Sequence, residues 1–441
     1  MDEAQDGKLE YMESRALAAV LSTKRTSFNV TNKGRLLMRN RNLLVTTAAA
    51  VLFAASASAQ TVGVTDTSIK IGNTAPYSGP ASSYSVIAKT QIAYLKAINA
   101  AGGIKSADGK TRMIEMISLD DGYSPPRTVE QIRKLVEQEK VAFTFNTLGT
   151  PTNSAVHRYM NAKKVPHLFL ATGASKWGHP DKYPWTMGFQ PTYDVEGEIY
   201  AKYALENVEN PKIAILFQND DYGKDYRDGF LRGLGDKAKD MVVKMLPYEV
   251  TDPTVDAQVL EMAASGANVF FNITIPKFAA QAIKKSCEIG WTPLHLLNNV
   301  SSSVGATLKP AGLECSKGLI TTQWMRDPTD PQWADTDGFK EWSAFMDANL
   351  PDGDKGDINY AFGYNASKLL HHVVENCADF SRPGIMACAA NIKDLQLPMV
   401  LPGVLVNTSP TDFYPVQAAQ LSKFDGQGWA LFGDVIDASS E

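Results

Sequence analysis

Short apolar runs rich in β-branched residues alternate along the chain with helical patterns of ten to fifteen residues, and this alternation narrows the fold more than any other feature. It is the signature of βαβ units feeding a parallel sheet. The runs predict strands at Ile69–Asn73, Met113–Leu119, Val141–Phe145, His167–Ala171, Lys212–Phe217, Val242–Pro247, Val269–Thr274 and Leu294–Leu297. Between them, 87–100 places Ile92, Leu95 and Ile98 on one helical face and ends at Gly102-Gly103, a helix stop. Residues 126–139 repeat the pattern with Val129, Ile132, Leu135 and Val136, opened by a proline suited to a first helical turn. The series is longer than one sheet needs, so it predicts an α/β protein of two doubly wound lobes, dividing near residue 188.

The 441 residues are 44% hydrophobic and 21% charged, enough to bury two cores. A formal net charge of −5 with no long basic run in the body of the chain argues against a nucleic-acid partner. Near the N-terminus, Arg39 and Arg41 precede an apolar run from Leu43 to Ala55 and then Ala57-Ser58-Ala59, the order of a secretory signal with its cleavage site. The run is shorter than the roughly 20 residues a membrane span requires. The expectation is a signal peptide over 38–59, a mature chain starting at Gln60 in the periplasm without a lipid anchor, and a non-native extension over 1–37. Cys377 and Cys388 flank a short connection that a disulfide can close, and Cys287 and Cys315 are a second, less supported pair.

Catalytic and cofactor motifs fail one by one. In "GIKSADGKT" five residues separate Gly103 from Gly109, and the stretch follows a helix and leads into a strand, so it reads as a hairpin-like turn and not a phosphate loop. Gly229, Gly233 and Gly235 lack the dinucleotide spacing. There is no G-x-S-x-G, H-E-x-x-H or C-x-x-C. His371 and His372 point about 100° apart on a helix, which disfavours a shared metal. Asp120-Asp121 and Asp220-Asp221 sit after strands, where caps and turns use carboxylates. The expectation is no enzyme, no metal and no cofactor.

What recurs instead is small polar residues at strand ends, where a doubly wound sheet places its ligand crevice. "PYSGPASSY", with Ser78 and Tyr84, follows the first strand; "TLGTPTN", with Gly149, Thr150 and Thr152, follows the third; "ATGAS", with Ala171, Thr172 and Gly173, follows the fourth. A helix N-terminus offers unpaired N–H groups that hold a carboxylate without a lysine or arginine, and hydroxyls of Thr150, Thr152 and Thr172 can complete the shell. On this reading, valine at 150 and 152 weakens binding far more than stability.

The stretches "APYSGPASSYS", "NAAGGI", "LDDGYSP", "FQNDDYGKDY" and "SKFDGQGWALFGDVI" occur in an order that resembles the periplasmic solute-binding proteins of ABC uptake systems, in the leucine/isoleucine/valine-binding family. The resemblance spans about Ile69 to Ile436. It implies two α/β lobes joined by three crossing strands and closing as a hinge, with lobe one over 60–188 plus 304–400 and lobe two over 189–303 plus 401–441. It implies a monomer that hands a small solute to permease and ATPase subunits; the alternatives are an amino-acid binder of the same class and a ligand-sensing receptor domain. The short tail after Ile436 carries no signalling segment, which favours transport. By the same resemblance Tyr84 touches the ligand's side chain, Gly149 to Thr152 hold its carboxylate, Ala171 to Gly173 form the next loop, and Tyr222 lines the site.

Two departures bear on the solute. Where the amino-acid binders carry an acidic residue for the ligand's ammonium, this chain reads "LNNVSSS", Leu297 to Ser303, and "NITIPKF" lacks their tyrosine before the proline. A buried ammonium without a counter-charge is costly. Asn272, Thr274, Asn298 and Asn299 offer hydrogen bonds in its place, so the expected solute is an aromatic or other organic acid without an α-ammonium.

Overall fold

The computed structural model describes residues 61–437; the expected signal segment and the residues before it lie outside that range. Two sheets carry the fold. The first takes β1 (Ser68–Ala75), β2 (Ile104–Lys105), β3 (Thr111–Asp120), β4 (Phe143–Phe145), β5 (His167–Leu170) and β6 (Thr186–Gly188) in the order β2-β3-β1-β4-β5-β6. All its pairs are parallel except the β2–β3 hairpin, which the "GIKSADGKT" turn closes. The second takes β7 (Ile213–Gln218), β8 (Val242–Tyr248), β9 (Val269–Ile273), β10 (Leu294–Leu297), β11 (Ile320–Gln323), β12 (Ala418–Phe424) and β13 (Trp429–Leu431) in the order β13-β12-β11-β10-β9-β7-β8, with β14 (Ile436–Asp437) on β12. Every residue of β7, "IAILFQ", is buried, as expected for a parallel strand covered on both faces.

Each sheet reverses strand order beside its first strand: β1 lies between β3 and β4, and β7 between β8 and β9. Such switch points open a crevice at the carboxyl ends of the strands. The helices that follow begin there: α1 (Ser85–Ala100), α2 (Pro125–Arg133), α3 (Thr150–Ala162), α4 (Tyr193–Asn207) and α5 (Asp221–Leu234). The Asp220 carboxylate caps α5 by accepting from the N–H groups of Tyr222 and Gly223, and Asp121 accepts from the N–H of Tyr123 and the hydroxyl of Thr128. Both acidic pairs are turn formers. Of the "GFLRGLG" glycines, Gly229 has a packing reason: a Cβ there would fall 2.0 Å from the Asp194 carbonyl oxygen of α4, so only glycine lets the two helices approach, whereas Gly235, at φ 59°, ends α5.

The predicted apolar face of α1 is rotated from the one observed. Ile92 is 40% exposed, while Ile87, Gln91, Tyr94 and Leu95 are buried. The reason is that the helix Ile358–Asn376 packs on this side, bringing Gly363 against Ile87 and Thr90, and Tyr94 donates or accepts at His371 Nδ1 over 2.9 Å. In 125–138 the buried Ile132, Leu135 and Val136 fall as predicted, with Val129 only half-buried. The helix widens after Arg133, Glu139 N–H reaching back to the Lys134 carbonyl.

The lobe limits differ from those implied by the resemblance. β11 lies inside 304–400 yet belongs to the second sheet, and Val304, Leu308, Ala311 and Leu319 pack with Ala279, Ile283, Leu297, Phe424 and Trp429. The apolar residues at 304, 308 and 311 repeat at helical spacing and cover the helix Pro276–Glu288, so the chain stays with the second sheet until about Gln323. At the other end, Phe413 N–H donates to the Gly178 carbonyl and Tyr414 OH to that of Ser175, so residues 401–416 hold to the first lobe. The second sheet is rejoined at β12. Cys287 is bonded to Cys315, and Cys377 to Cys388. No described helix is long and apolar enough to cross a membrane.

Candidate functional site

Between the two sheets' carboxyl edges lies a cavity of ≈ 60 Å³, several times the roughly 10–15 Å³ that one water needs. Lobe one contributes Tyr84, Ile87, Tyr123, Leu148, Gly149, Thr150 and Ala171; lobe two contributes Tyr222, Ile275, Asn299, Val300 and Ser302. The crossing segments and the helix Ile358–Asn376 contribute Gln190, Tyr193, Trp324, Met325, Ile358, Asn359 and Phe362. Thus Tyr84, Gly149, Thr150, Ala171, Tyr222 and Asn299, expected from the sequence, are brought together at one place.

The turn into α3 is built by glycine. Gly149 has φ 100°, a conformation that excludes most side chains, and a Cβ there would sit 2.5 Å from Tyr123 Cε2. Behind the turn, Asn153 Nδ2 donates to the carbonyls of Thr147 (3.0 Å) and Gly149 (2.7 Å), and Thr147 Oγ1 donates to Asn153 Oδ1 over 2.6 Å. Because that hydroxyl proton is committed, His167 Nε2, 2.7 Å away, is the donor to Thr147, and burial pushes the imidazole's pKa down to about 3, holding it neutral. Thr150 is the first residue of α3, where backbone N–H groups have no intrahelical acceptor, and its hydroxyl lies 2.7 Å from that of Thr172.

Other expected residues do not line the cavity. Thr152 turns its hydroxyl back to the carbonyls of Leu148 and Gly149, the local bond that threonine makes inside a helix. Ser78 donates to Asp120 through both N–H and Oγ. Thr172 stands behind Thr150, accepting also from the Ala174 N–H, and Gly173 meets Pro191 and Tyr193. Asn272 accepts from the Thr274 hydroxyl and meets His295 Nε2. Asn298 donates to the carbonyls of Asn272 and Thr274, both at 2.9 Å. These polar groups brace the loops around the cavity.

The lobes touch across the cleft. Tyr84 OH donates to the Val300 carbonyl over 2.8 Å, Lys176 meets Asp221 at 2.7 Å, and Asp225 accepts from the N–H (2.8 Å) and hydroxyl (2.7 Å) of Ser175. Burial raises the Asp225 carboxyl, the two Ser175 donors offset part of the rise, and its pKa lies at about 6. Tyr193 stacks on Tyr226 with centroids 4.4 Å apart and meets the edge of Tyr222 at 5.3 Å. Tyr222 OH donates to Asn298 Oδ1 over 3.1 Å. Burial pushes these phenols above their ordinary range, so they are neutral donors.

No Asp, Glu, Lys or Arg is among the residues lining the cavity. Close behind them, Glu196 is already occupied: it accepts from Tyr200 OH (2.6 Å), Tyr226 OH (2.6 Å) and the Asn299 N–H (2.8 Å). Among the described residues no cluster of three or more His, Cys, Asp or Glu is placed to hold a metal. Among the thirteen lining residues the sequence reading missed are Tyr123, Tyr193, Trp324, Met325, Ile358, Asn359 and Phe362. Trp324 and Met325 follow β11, a strand that "GLITTQWM" announces by its Leu319–Thr322 run; Tyr123 adopts φ 60° in a turn that Asp121-Gly122 marks, but a turn signal does not say which way the phenol faces.

The model of a family described as periplasmic binding protein matches residues 68–428. No curated protein matches the chain. A possible leucine/isoleucine/valine-binding protein from Rhodopirellula baltica SH 1 superposes with a TM-score of 0.70 at 18% identity, covering 85% of this chain and 98% of that one. A branched chain amino acid ABC transporter protein from Thermus thermophilus with bound valine gives 0.73 at 12% identity, covering 85% and 98%. A protein from Thermomonospora curvata described as a fatty acid ABC transporter substrate-binding protein gives 0.69 at 20% identity, covering 86% and 94%. At these identities the likeness is one of fold, whereas the family match takes in both sheets and the cavity between them. The chain belongs to the periplasmic binding protein family, with that family's two α/β lobes and solute-binding role.

Proposed function

We propose that this protein is the periplasmic substrate-binding component of an ABC importer that captures a small carboxylate-bearing solute without an α-ammonium, an aromatic or other organic acid. The observation that carries this reading is the uncharged lining. The opening turn of α3 offers the N–H groups of Thr150 and Thr152 to a carboxylate, beside the Thr150 hydroxyl; Pro151 has no N–H and that of Gly149 is bonded to the Ala171 carbonyl. Four phenols and Trp324 provide flat, apolar walls with hydrogen-bonding tips. An ammonium would meet no free carboxylate, because the three donors on Glu196 already use it. The fatty acid named for the Thermomonospora curvata protein is itself an acid with no ammonium, which agrees with this choice; the valine of the Thermus thermophilus protein supports the alternative, an amino-acid binder.

Closure follows from the geometry. A solute seated on α3 in lobe one also meets Tyr222 and Asn299 of lobe two, so it binds the closed form better and shifts the lobes toward it. The Tyr84, Lys176 and Ser175 contacts then hold the closed cleft that a permease receives, with an ATPase behind it. Thermal unfolding against aromatic acids, dicarboxylic acids and aliphatic α-amino acids tests the reading. Acids lacking an ammonium are expected to raise the melting temperature by mass action, and a rise confined to α-amino acids would contradict it.

A further inference from the structure

Asn359 lies at the start of the helix Ile358–Asn376, lines the cavity and is 7% exposed. Its amide orientation is fixed by its neighbour. Asp357 Oδ1 accepts from Asn359 N–H (3.0 Å), from Asn359 Nδ2 (2.7 Å) and from the hydroxyl of Ser303 (2.7 Å). Ser303 Oγ in turn accepts from the Ala306 N–H, so its proton is the one directed at Asp357, and that carboxylate oxygen is an acceptor in all three bonds. Turning the Asn359 amide over would set its oxygen against the carboxylate. The NH2 therefore faces Asp357, and Oδ1 faces away.

Asn359 Oδ1 has no hydrogen-bond partner in the protein and is not sealed from solvent; in a residue this buried that lines the cavity, its access comes from the cavity. Gln190 differs. Its Nε2 meets Tyr193 OH at 3.4 Å, and a phenol both donates and accepts, so either amide orientation is served and no direction is imposed. Asn359 thus presents a fixed acceptor beside the apolar side chains of Ile358, Phe362 and Trp324.

We infer that Asn359 is a specificity-determining residue that selects acids carrying a hydrogen-bond donor, such as a hydroxyl, away from the carboxylate. The inference rests on the acid-binding reading above. Asp357 acts as its positioning residue and, through Ser303, makes that positioning depend on a contact with the lobe-two segment that follows Asn299 to Ser302. A solute without the donor would leave a buried acceptor unpaired, at a cost of roughly tenfold in affinity.

Titration calorimetry on the chain freed of bound solute by unfolding and refolding would compare benzoate with 3- and 4-hydroxybenzoate, and butyrate with 3-hydroxybutyrate. The hydroxylated member of at least one pair is expected to bind about tenfold tighter. Asn359→Leu should abolish that ratio, chiefly by tightening the parent acid once no acceptor is left unpaired, and Asp357→Asn, which frees the amide to turn, should reduce it. Asn359→Ser, which withdraws the acceptor with less apolar bulk, serves if the leucine variant does not fold. Acid binding with an unchanged ratio in the Asn359 variants would overturn the role of Asn359 alone. Binding of leucine or valine and of no acid would overturn the acid reading and this inference with it.

Discussion

Two strand-to-helix turns face the same cleft and use their polar residues in opposite ways. At Gly149–Thr152 the N–H groups of Thr150 and Thr152 have no protein acceptor, that of Gly149 being bonded to the Ala171 carbonyl, and the Thr150 hydroxyl has capacity beyond its bond to Thr172, with Asn153 and Thr147 supporting the turn from behind. At Leu297–Ser303 the polar side chains are mostly committed inward: Asn298 to two carbonyls, Asn299 Nδ2 and Ser301 Oγ to one each, and Ser303 to Asp357. What the second turn shows the solute is chiefly backbone, the Asn299, Val300 and Ser302 surface held in place by Glu196. Polar residues near a cleft are therefore of two kinds, and only the ones with an unused donor or acceptor can read a ligand.

The largest expected effect breaks the first turn. Gly149→Ala imposes a side chain on φ 100° and drives it into Tyr123, which should cost about 1–3 kcal/mol of stability and more than tenfold in affinity, measured by urea unfolding and calorimetry. Next, Asn298→Ala takes one donor from each of two buried carbonyls, which keep the Asn298 N–H and the Ser301 hydroxyl, and leaves the buried Tyr222 hydroxyl without its acceptor; it should remove about 2 kcal/mol of stability, with a smaller loss of affinity in the folded protein. An affinity loss that exceeds the stability loss would place Asn298 among the ligand-reading residues. Thr150→Val should weaken acid binding about fivefold, near 1 kcal/mol, with little change in melting temperature. Thr152→Val should leave affinity within about twofold, because its hydroxyl is bound to its own helix.

A separate effect concerns pH. Asp225 has its pKa raised to about 6 in the folded protein, so folding takes up a proton between that value and its ordinary one. Its contribution to stability is fully present below the unfolded pKa near 4 and is lost as pH rises through about 6. From pH 7 to pH 5 the gain from this residue is about 1 kcal/mol, and Asp225→Asn should remove it from the pH dependence of thermal unfolding. Asp327, raised to about 6 by burial, keeps its own parallel gain in that variant.

The fold was legible where one sheet edge is local in sequence. All eight expected strands form, because each is a short apolar-rich run bounded by turns and followed by a helix. The missed elements are those whose meaning depends on distant chain. Ile92 points to solvent because the helix Ile358–Asn376, far along the sequence, takes the other side of α1. β11 was passed over because three of the four residues of "ITTQ" are polar, and its threonines make sense only beside Tyr200, whose hydroxyl accepts the Thr322 N–H. The site divides in the same way. Thr150 and Thr152 are chemically identical and two positions apart, and only the helix start, not the composition, decides which hydroxyl folds back on its own helix and which meets Thr172 at the cavity wall. Trp324 follows β11, the strand passed over, and Asn359 and Phe362 sit on the helix Ile358–Asn376, which comes to the cleft from far along the chain.

The account stands on a neutral cavity that takes a carboxylate and no ammonium. Its most direct test is thermal unfolding of residues 60–441, stripped of solute by unfolding and refolding, with each of two panels: aliphatic α-amino acids, and aromatic or dicarboxylic acids. A ligand at one hundred times its dissociation constant stabilises by about 2.7 kcal/mol, ample to displace the melting temperature. The account predicts a displacement with acids that lack an ammonium and none with leucine or valine. A displacement with leucine or valine would contradict it, and would mean that a carboxylate such as Asp357 or Glu196 leaves its present partners to meet the ammonium.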